Sequence, residues 1–92
     1  MNIQMGAKTV DLAKAMPLTI GDVRKLGKEY GVKMADLGSS DVETTHKVIL
    51  YLARKAGGAG ITEDDVDSIA VGTLVEISQF IAENGGRADR PT

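Results

Sequence analysis

His46 is the only histidine of this chain and its first candidate for chemistry. An imidazole can act as a general base near neutral pH when an acid or a nucleophile is brought within hydrogen-bond reach. The sequence marks no such partner, and Val42, Ile49 and Ala53 are spaced so that they share a helix face with His46. We therefore expect a hydrogen-bonded histidine of the core or of an interface, with a pH-sensitive contact as the alternative, and we expect no enzyme.

The acidic run from Glu63 to Asp67 could indicate a cation site. A calcium loop places oxygen ligands at alternate positions, with a glycine in the sixth and a glutamate in the twelfth position, and this pattern is absent. Acids in the first turn of a helix are also stabilised by the positive end of the helix dipole, which is the interpretation we favour. The chain has no cysteine, which excludes thiolate metal sites and disulfides. We expect no metal and no cofactor.

The charge balance excludes several classes of partner. The formal net charge is −2 at pH 7, from 11 basic and 13 acidic side chains that are interspersed along the sequence, so no large positive field favours nucleic acid or an anionic membrane. No stretch approaches the roughly 20 apolar residues of a membrane span, and the first residues lack the apolar run of a secretion signal. We expect a cytoplasmic protein that binds neither nucleic acid nor membrane.

Four segments carry helix signals. The first helix should open at Thr19, which can form a capping box with Asp22, and should end at Gly31. The second, expected to be the central helix, should run from about residue 41 to residue 56, with Ser40 as its cap.

The third helix should follow Thr62, and the fourth should run from Thr73 to Asn84. Residues 8–16 alternate apolar and polar side chains as an edge strand does, although their alanine content also permits a short helix. The predicted fold class is therefore mainly α, a small four-helix domain, with a short N-terminal β-strand as an open alternative. This single helical domain should span residues 9–84.

The two ends of the chain should be flexible. Residues 1–8 are predicted to be a flexible N-terminus, and residues 85–92 a flexible C-terminal tail, because that tail is short and rich in glycine and charge.

The predicted fourth helix is apolar on too many sides for a helix that only lies on a core. Its apolar residues spread over an arc of about 220°, whereas a surface helix usually needs a stripe of somewhat more than roughly 100°. A domain of this size buries only about 60 % of the surface that its unfolded chain exposes. We expect the second and fourth helices to offer apolar surface to another chain, with these contact candidates: Val48, Leu52, Leu74, Ile77, Phe80 and Ile81.

Two stretches of the chain resemble the tail assembly chaperones of tailed bacteriophages. In the first, the apolar segment Val10-Asp11-Leu12 leads to the helix start Pro17-Leu18-Thr19-Ile20-Gly21-Asp22-Val23-Arg24. In the second, the helix end Leu52-Ala53-Arg54-Lys55-Ala56-Gly57 is followed by the turn Ile61-Thr62-Glu63-Asp64-Asp65-Val66 and then by an apolar helix. Together these stretches cover most of residues 10–82.

The resemblance implies a non-enzymatic protein that coats the long, aggregation-prone tape measure protein while the tail tube protein polymerises around it. It also implies a homo-oligomer that acts in the cytoplasm of the host cell. The alternative, from another class, is a small helical DNA-binding protein or transcription regulator that would use Arg24, Lys25, Lys28 and Lys33.

Overall fold

The computed structural model describes residues 1–36, 41–58 and 60–84 of the chain. In this part of the chain, four α-helices follow a two-stranded N-terminal sheet. The predicted class, a small mainly α domain, is confirmed, and the N-terminal strand that the sequence left as an alternative is present. The tail predicted for residues 85–92 lies outside the described residues.

The chain begins with a β-hairpin. Strand β1 (Asn2–Met5) pairs antiparallel with strand β2 (Lys8–Asp11), and Gly6 in the turn has a φ of 62°, in the left-handed region that glycine tolerates. A 3₁₀ turn, Leu12–Ala15, follows directly. Residues 8–16 therefore contain both predicted alternatives in succession, first a strand and then a short helical turn.

One face of the hairpin is buried. Ile3 and Met5 are 2 % and 0 % exposed, whereas Asn2 and Gln4 are exposed, as expected for side chains that alternate across a strand. Burial of two large apolar side chains gives this segment a fixed place on the core. Residues 1–8 are therefore not the flexible N-terminus that the sequence predicted.

Helix α1 (Ile20–Tyr30) has the boundaries that its local sequence predicted. The Thr19 hydroxyl accepts a hydrogen bond from the Asp22 backbone N at 3.1 Å, and the Asp22 carboxylate accepts one from the Thr19 backbone N at 2.8 Å. This reciprocal pair satisfies backbone donors that the start of a helix leaves open. Gly31 ends the helix in the left-handed conformation, with a φ of 71°.

Helix α2 (Val42–Gly57) is capped one position later than predicted. The Asp41 carboxylate accepts a hydrogen bond from the Thr44 backbone N at 3.0 Å, which is the bond expected of an N-cap residue. Ser40, the predicted cap, lies outside the described residues.

Helix α3 (Glu63–Asp67) has the capping box that its sequence predicted. The Thr62 hydroxyl accepts a hydrogen bond from the Asp65 backbone N at 3.3 Å, and the Asp65 carboxylate accepts one from the Thr62 backbone N at 2.9 Å. The Lys8 ammonium donates to the same carboxylate at 2.7 Å and so attaches the hairpin to α3.

Helix α4 (Val71–Asn84) begins before the predicted Thr73 and continues through Gly72. Gly72 therefore lies in the first turn of the helix, and Ile77 and Ile81 further along are buried on its core side.

Helix α2 lies at the centre of the domain, as predicted, and packs against α1, α3 and the hairpin. No helix of the described residues is long and apolar enough to cross a membrane. The largest fully enclosed side chains among the described residues come from β1, the 3₁₀ turn, α1, α2 and α4: Met5, Leu12, Leu26, Val48, Ile49, Leu52 and Ile77.

Candidate partner-binding surface

Four of the six predicted contact residues lie inside the folded chain. Val48 and Leu52 of α2 are 2 % and 0 % exposed, and Ile77 and Ile81 of α4 are 0 % and 6 % exposed. Their side chains fill the shared core, so they are not available to a partner at the surface of the folded domain. The apolar pattern did not distinguish the enclosed side of each helix from the side that faces outward.

Leu74 and Phe80, the other two predicted contact residues, lie at the edge of the core. Both are partly buried and pack against the enclosed residues. Each therefore stabilises the fold and still presents part of its side chain at the surface.

The large apolar side chains that are exposed are Ile20, Val42, Val71 and Val75. Val71 and Val75 are 78 % and 60 % exposed, and they lie one turn apart on the same side of α4. Gln79 and Ala82 continue this side and are also exposed. We call these four residues, Val71, Val75, Gln79 and Ala82, the outer face of α4.

The outer face of α4 carries no charged side chain. It lies across the helix from the buried Ile77 and Ile81, so α4 has apolar side chains on its exposed side as well, together with the polar Gln79 and, next to Val75, the exposed Glu76. The wide apolar arc of this helix in the sequence predicted apolar side chains on more than one side of α4. Val71 and Val75 themselves were not among the predicted contact residues.

A buried polar cluster joins α1 to α2. Asp22 is 7 % exposed; one of its carboxylate oxygens accepts a hydrogen bond from the Tyr51 hydroxyl at 2.5 Å, and the other accepts one from the Lys55 ammonium at 2.6 Å. With the bond from the Thr19 backbone N, both oxygens are satisfied, which is the condition for burying a carboxylate at low cost.

The contacts of Asp22 change the ionisation of two residues. Burial by itself would raise the pKa of Asp22, but the hydrogen bonds from Lys55 and Tyr51 outweigh it and hold that pKa far below its ordinary value. Burial, followed by the bond to the Asp22 carboxylate, raises the pKa of Tyr51 well above its ordinary value. A carboxylate kept charged and a phenol kept protonated form a structural pair, because neither is poised to exchange a proton near neutral pH.

A second part of this junction is aromatic. The rings of Tyr30 and Tyr51 meet edge to face, with centroids 5.9 Å apart, a favoured geometry for aromatic pairs. The Arg54 guanidinium donates to the Ile61 carbonyl at 2.8 Å and to the Tyr30 hydroxyl at 3.3 Å. Sequence reasoning assigned no role to Lys55, Tyr51 or Arg54, since their partners lie on other elements.

His46 joins α2 to α3. Its Nε2 lies 2.8 Å from Oδ1 of Asp67, which agrees with the expected hydrogen-bonded histidine. An open pocket of about 380 Å³ lies beside it, and its lining includes Tyr30, Lys47 and Arg54. None of the described residues that line this pocket is a serine, a threonine or a cysteine, the usual nucleophiles beside a histidine. Among the described residues, no group of three or more histidine, cysteine, aspartate or glutamate side chains could hold a metal ion.

The basic residues of the DNA-binding alternative are exposed. Arg24, Lys25 and Lys28 lie on the outward side of α1, and Lys33 follows the end of this helix. None of the salt bridges among the described residues involves these four side chains. They form a small positive surface on a chain whose overall charge is negative.

No protein-family model, no curated protein and no solved structure matches this chain.

Proposed function

We propose that this chain is a non-enzymatic tail assembly chaperone of a tailed bacteriophage, which holds an apolar helical segment of the tape measure protein against the outer face of α4. The observation that supports this proposal best is the exposure of Val71 and Val75, at 78 % and 60 %, one turn apart on the same side of α4. Contiguous exposed apolar surface is typical of protein-protein contact sites.

The size of this surface suits a weak and repeated contact. Full burial of one valine side chain stabilises a complex by about 1.5 kcal/mol, so two valines give only a modest affinity for one helical segment. A long partner with many amphipathic segments would bind many copies, and the combined binding would be far stronger than each single contact. Because each single contact is weak, copies of the chaperone can be displaced from the partner one at a time as assembly proceeds.

The remaining parts of the proposal follow from the same role. The tail tube protein would displace the chaperone from the tape measure protein, and copies of the chaperone would associate into a homo-oligomer along their partner. The complex would form in the cytoplasm of the host cell. The outer face of α4 would pack against the apolar face of an amphipathic helix of the partner, which is the kind of contact used in helix-in-groove recognition.

Co-expression with the tape measure protein encoded in the same genome tests the proposal. We expect the two proteins to co-purify, and the double variant Val71→Asp/Val75→Asp to lose the partner while it keeps its melting temperature. Ile20→Asp is the matched control, because Ile20 is an equally exposed apolar residue, at 81 %, on a different helix. Failure of the native chain to retain the tape measure protein would contradict the proposal, as would equal loss with the control variant.

The exposed, unpaired charges of Arg24, Lys25 and Lys28 favour a second candidate function, the binding of DNA. Binding through several phosphates weakens steeply as the salt concentration rises, whereas apolar contact with a protein does not. A titration with duplex DNA at low and moderate salt therefore separates the two functions, and Lys25→Glu/Lys28→Glu should abolish binding only in the second case.

A further inference from the structure

We infer that the free edge of strand β1 and the beginning of α4 form a groove that binds an extended peptide segment of a partner protein by strand addition. This inference is independent of the proposed chaperone function, since it uses neither Val71 nor Val75. It rests on the hydrogen-bond pattern of the hairpin, the walls of the groove and one unpaired charge.

The hairpin register shows which backbone groups of β1 are unused. Ile3 lies opposite Val10 in the antiparallel pair, and the Leu12 backbone N donates to the Met1 carbonyl at 2.9 Å. Residues of an antiparallel strand point their N–H and C=O groups alternately toward the paired strand and away from it. Met1, Ile3 and Met5 therefore bond to β2 and its continuation, and the backbone groups of Asn2 and Gln4 point to the open side.

In the described part of the chain, no backbone group pairs with the outward N–H and C=O groups of Asn2 and Gln4. The backbone of Asn2 and of Gln4 makes no hydrogen bond outside the hairpin, and both residues are exposed. An unpaired edge of this kind presents donors and acceptors at the spacing of a further strand.

β1 carries no charged side chain, proline or bulge, three of the features that protect a sheet edge from pairing with another chain; it is Asn2-Ile3-Gln4-Met5 with a regular register. The strand has four residues, so a partner strand can pair with only a few of its backbone groups. The N-terminal amine next to β1 is already paired with the Asp11 carboxylate at 3.3 Å. The edge is therefore open to a strand without a charge conflict.

A groove of about 490 Å³ runs along this edge. β1 and Gly6 form one wall, and Ser68, Ala70 and Thr73 stand on the other side, where α3 gives way to α4. A groove with two walls admits a single extended segment between them. β1 of a second copy, Asn2-Ile3-Gln4-Met5, would bring no basic side chain to Glu76 on the α4 side of the groove, and so an extended basic peptide is the occupant we assign.

Glu76 defines the charge of the preferred peptide. Glu76 lines the groove, is exposed, and takes part in none of the salt bridges of the described residues. An arginine or lysine in the bound segment would pair with Glu76, because opposite charges attract across an interface. An acidic side chain at the same position would be repelled. The partner is thus an extended segment with a basic side chain.

Blocked pentapeptides provide the probe. The parent probe contains threonine at both ends, valine at the second and fourth positions and arginine in the centre, and we expect saturable binding to the native chain by isothermal calorimetry or by NMR shifts at Asn2 and Gln4. One derivative is N-methylated at both valines and the other at the arginine. Because successive N–H groups of a strand point to opposite edges, one derivative should lose about tenfold or more in affinity and the other should keep it.

Substitutions in the chain test the same geometry. Gln4→Pro removes only a donor that points to the groove and is compatible with an edge strand, so this variant should keep its fold and lose the probe. Gln4→Ala is the matched control, since it keeps the N–H, and it should bind as the native chain does. Glu76→Gln should weaken the arginine probe about threefold and leave a probe with central glutamine unchanged.

Several results would overturn the inference. The first is an absence of saturable binding of the parent probe, and the second is an equal affinity of both N-methylated derivatives, which would show that no strand pairing occurs. If Gln4→Pro unfolds, the N-methylated probes still decide the question. A native dimer in sedimentation that Gln4→Pro dissociates would show that a second copy, and not a peptide, occupies the edge.

Discussion

The ammonium group of Lys55 lies 2.6 Å from a carboxylate oxygen of Asp22, and this bond joins the end of α2 to the capping box that starts α1. Asp22 thereby has two functions, since the oxygen that accepts from the Thr19 backbone N also accepts from Lys55. The orientation of α1 on α2 depends on this polar junction as well as on the apolar contacts of Leu26, which is 0 % exposed.

We expect Asp22→Asn to lower the free energy of unfolding by about 2 kcal/mol, because it removes charge-assisted hydrogen bonds from a buried position. Asp64→Asn is the matched control. It removes the same charge from the first turn of α3 at an exposed position, and it should change stability by less than about 0.5 kcal/mol. Urea denaturation of both variants measures the difference, and equal effects would show that the buried junction contributes nothing of its own.

Stability should fall in acid in a way that depends on Asp22. Its pKa in the folded chain lies far below that of an unfolded aspartate, which is about 3.9. The stabilisation is therefore complete above this value and is lost as the pH falls below it, toward the folded pKa. The native chain and Asp22→Asn should be compared by their free energies of unfolding from neutral pH to about pH 2.5. The difference between them should shrink as the pH falls, and a constant difference would contradict the lowered pKa of Asp22.

Tyr51 should ionise at a higher pH than an ordinary tyrosine. Burial and the bond to Asp22 raise its pKa above the usual value, so the folded chain keeps the phenolic proton and loses stability as the pH rises above about 10, where an unfolded tyrosine ionises. The chain has two tyrosines, and Tyr30→Phe leaves Tyr51 as the only one. Tyrosinate absorbance of this variant should appear above about pH 10, whereas a midpoint at the ordinary value would refute the prediction.

The two sides of α4 should respond differently to substitution. Ile77→Ala should lower the free energy of unfolding by about 3 kcal/mol, as expected for a fully buried side chain, whereas Val75→Asp at the exposed side should cost less than about 0.5 kcal/mol. The amount of partner that co-purifies should fall more in Val75→Asp than in Ile77→Ala. Phe80→Asp should affect both properties, because Phe80 is partly buried against the core. A large loss of stability in Val75→Asp would mean that the outer face of α4 belongs to the fold.

Two glycines in helices should have opposite effects when replaced by alanine. Gly27→Ala should stabilise the chain by roughly 0.5–1 kcal/mol, since an added Cβ meets only the Val32 carbonyl oxygen at an ordinary 3.6 Å. Gly57→Ala should destabilise it by about 1 kcal/mol, because the added Cβ would lie 2.9 Å from a methyl group of Val10. Thermal denaturation compares the two, and Val10→Ala should relieve the second effect if the contact is its cause.

The sequence by itself determined those features that depend on residues a few positions apart. The capping boxes of Thr19 with Asp22 and of Thr62 with Asp65 join residues three apart, and the left-handed stop at Gly31 is a property of one residue. Such contacts depend on the local pattern, so the starts of α1 and α3, the order of the helices and the mainly α class could be predicted. The cap of α2 and the start of α4 lie one and two residues from their predicted positions.

Only the tertiary structure decided which side of each helix is enclosed. A helix that is apolar on several sides, such as α4, has no preferred inward side until other elements cover one, and here the core covers Ile77 and leaves Val75 exposed. The bond between Asp22 and Lys55 spans 33 positions of the chain, and the placement of Met5 in the core depends on the hairpin lying across α2. These features arise from packing between distant segments, which no local pattern specifies.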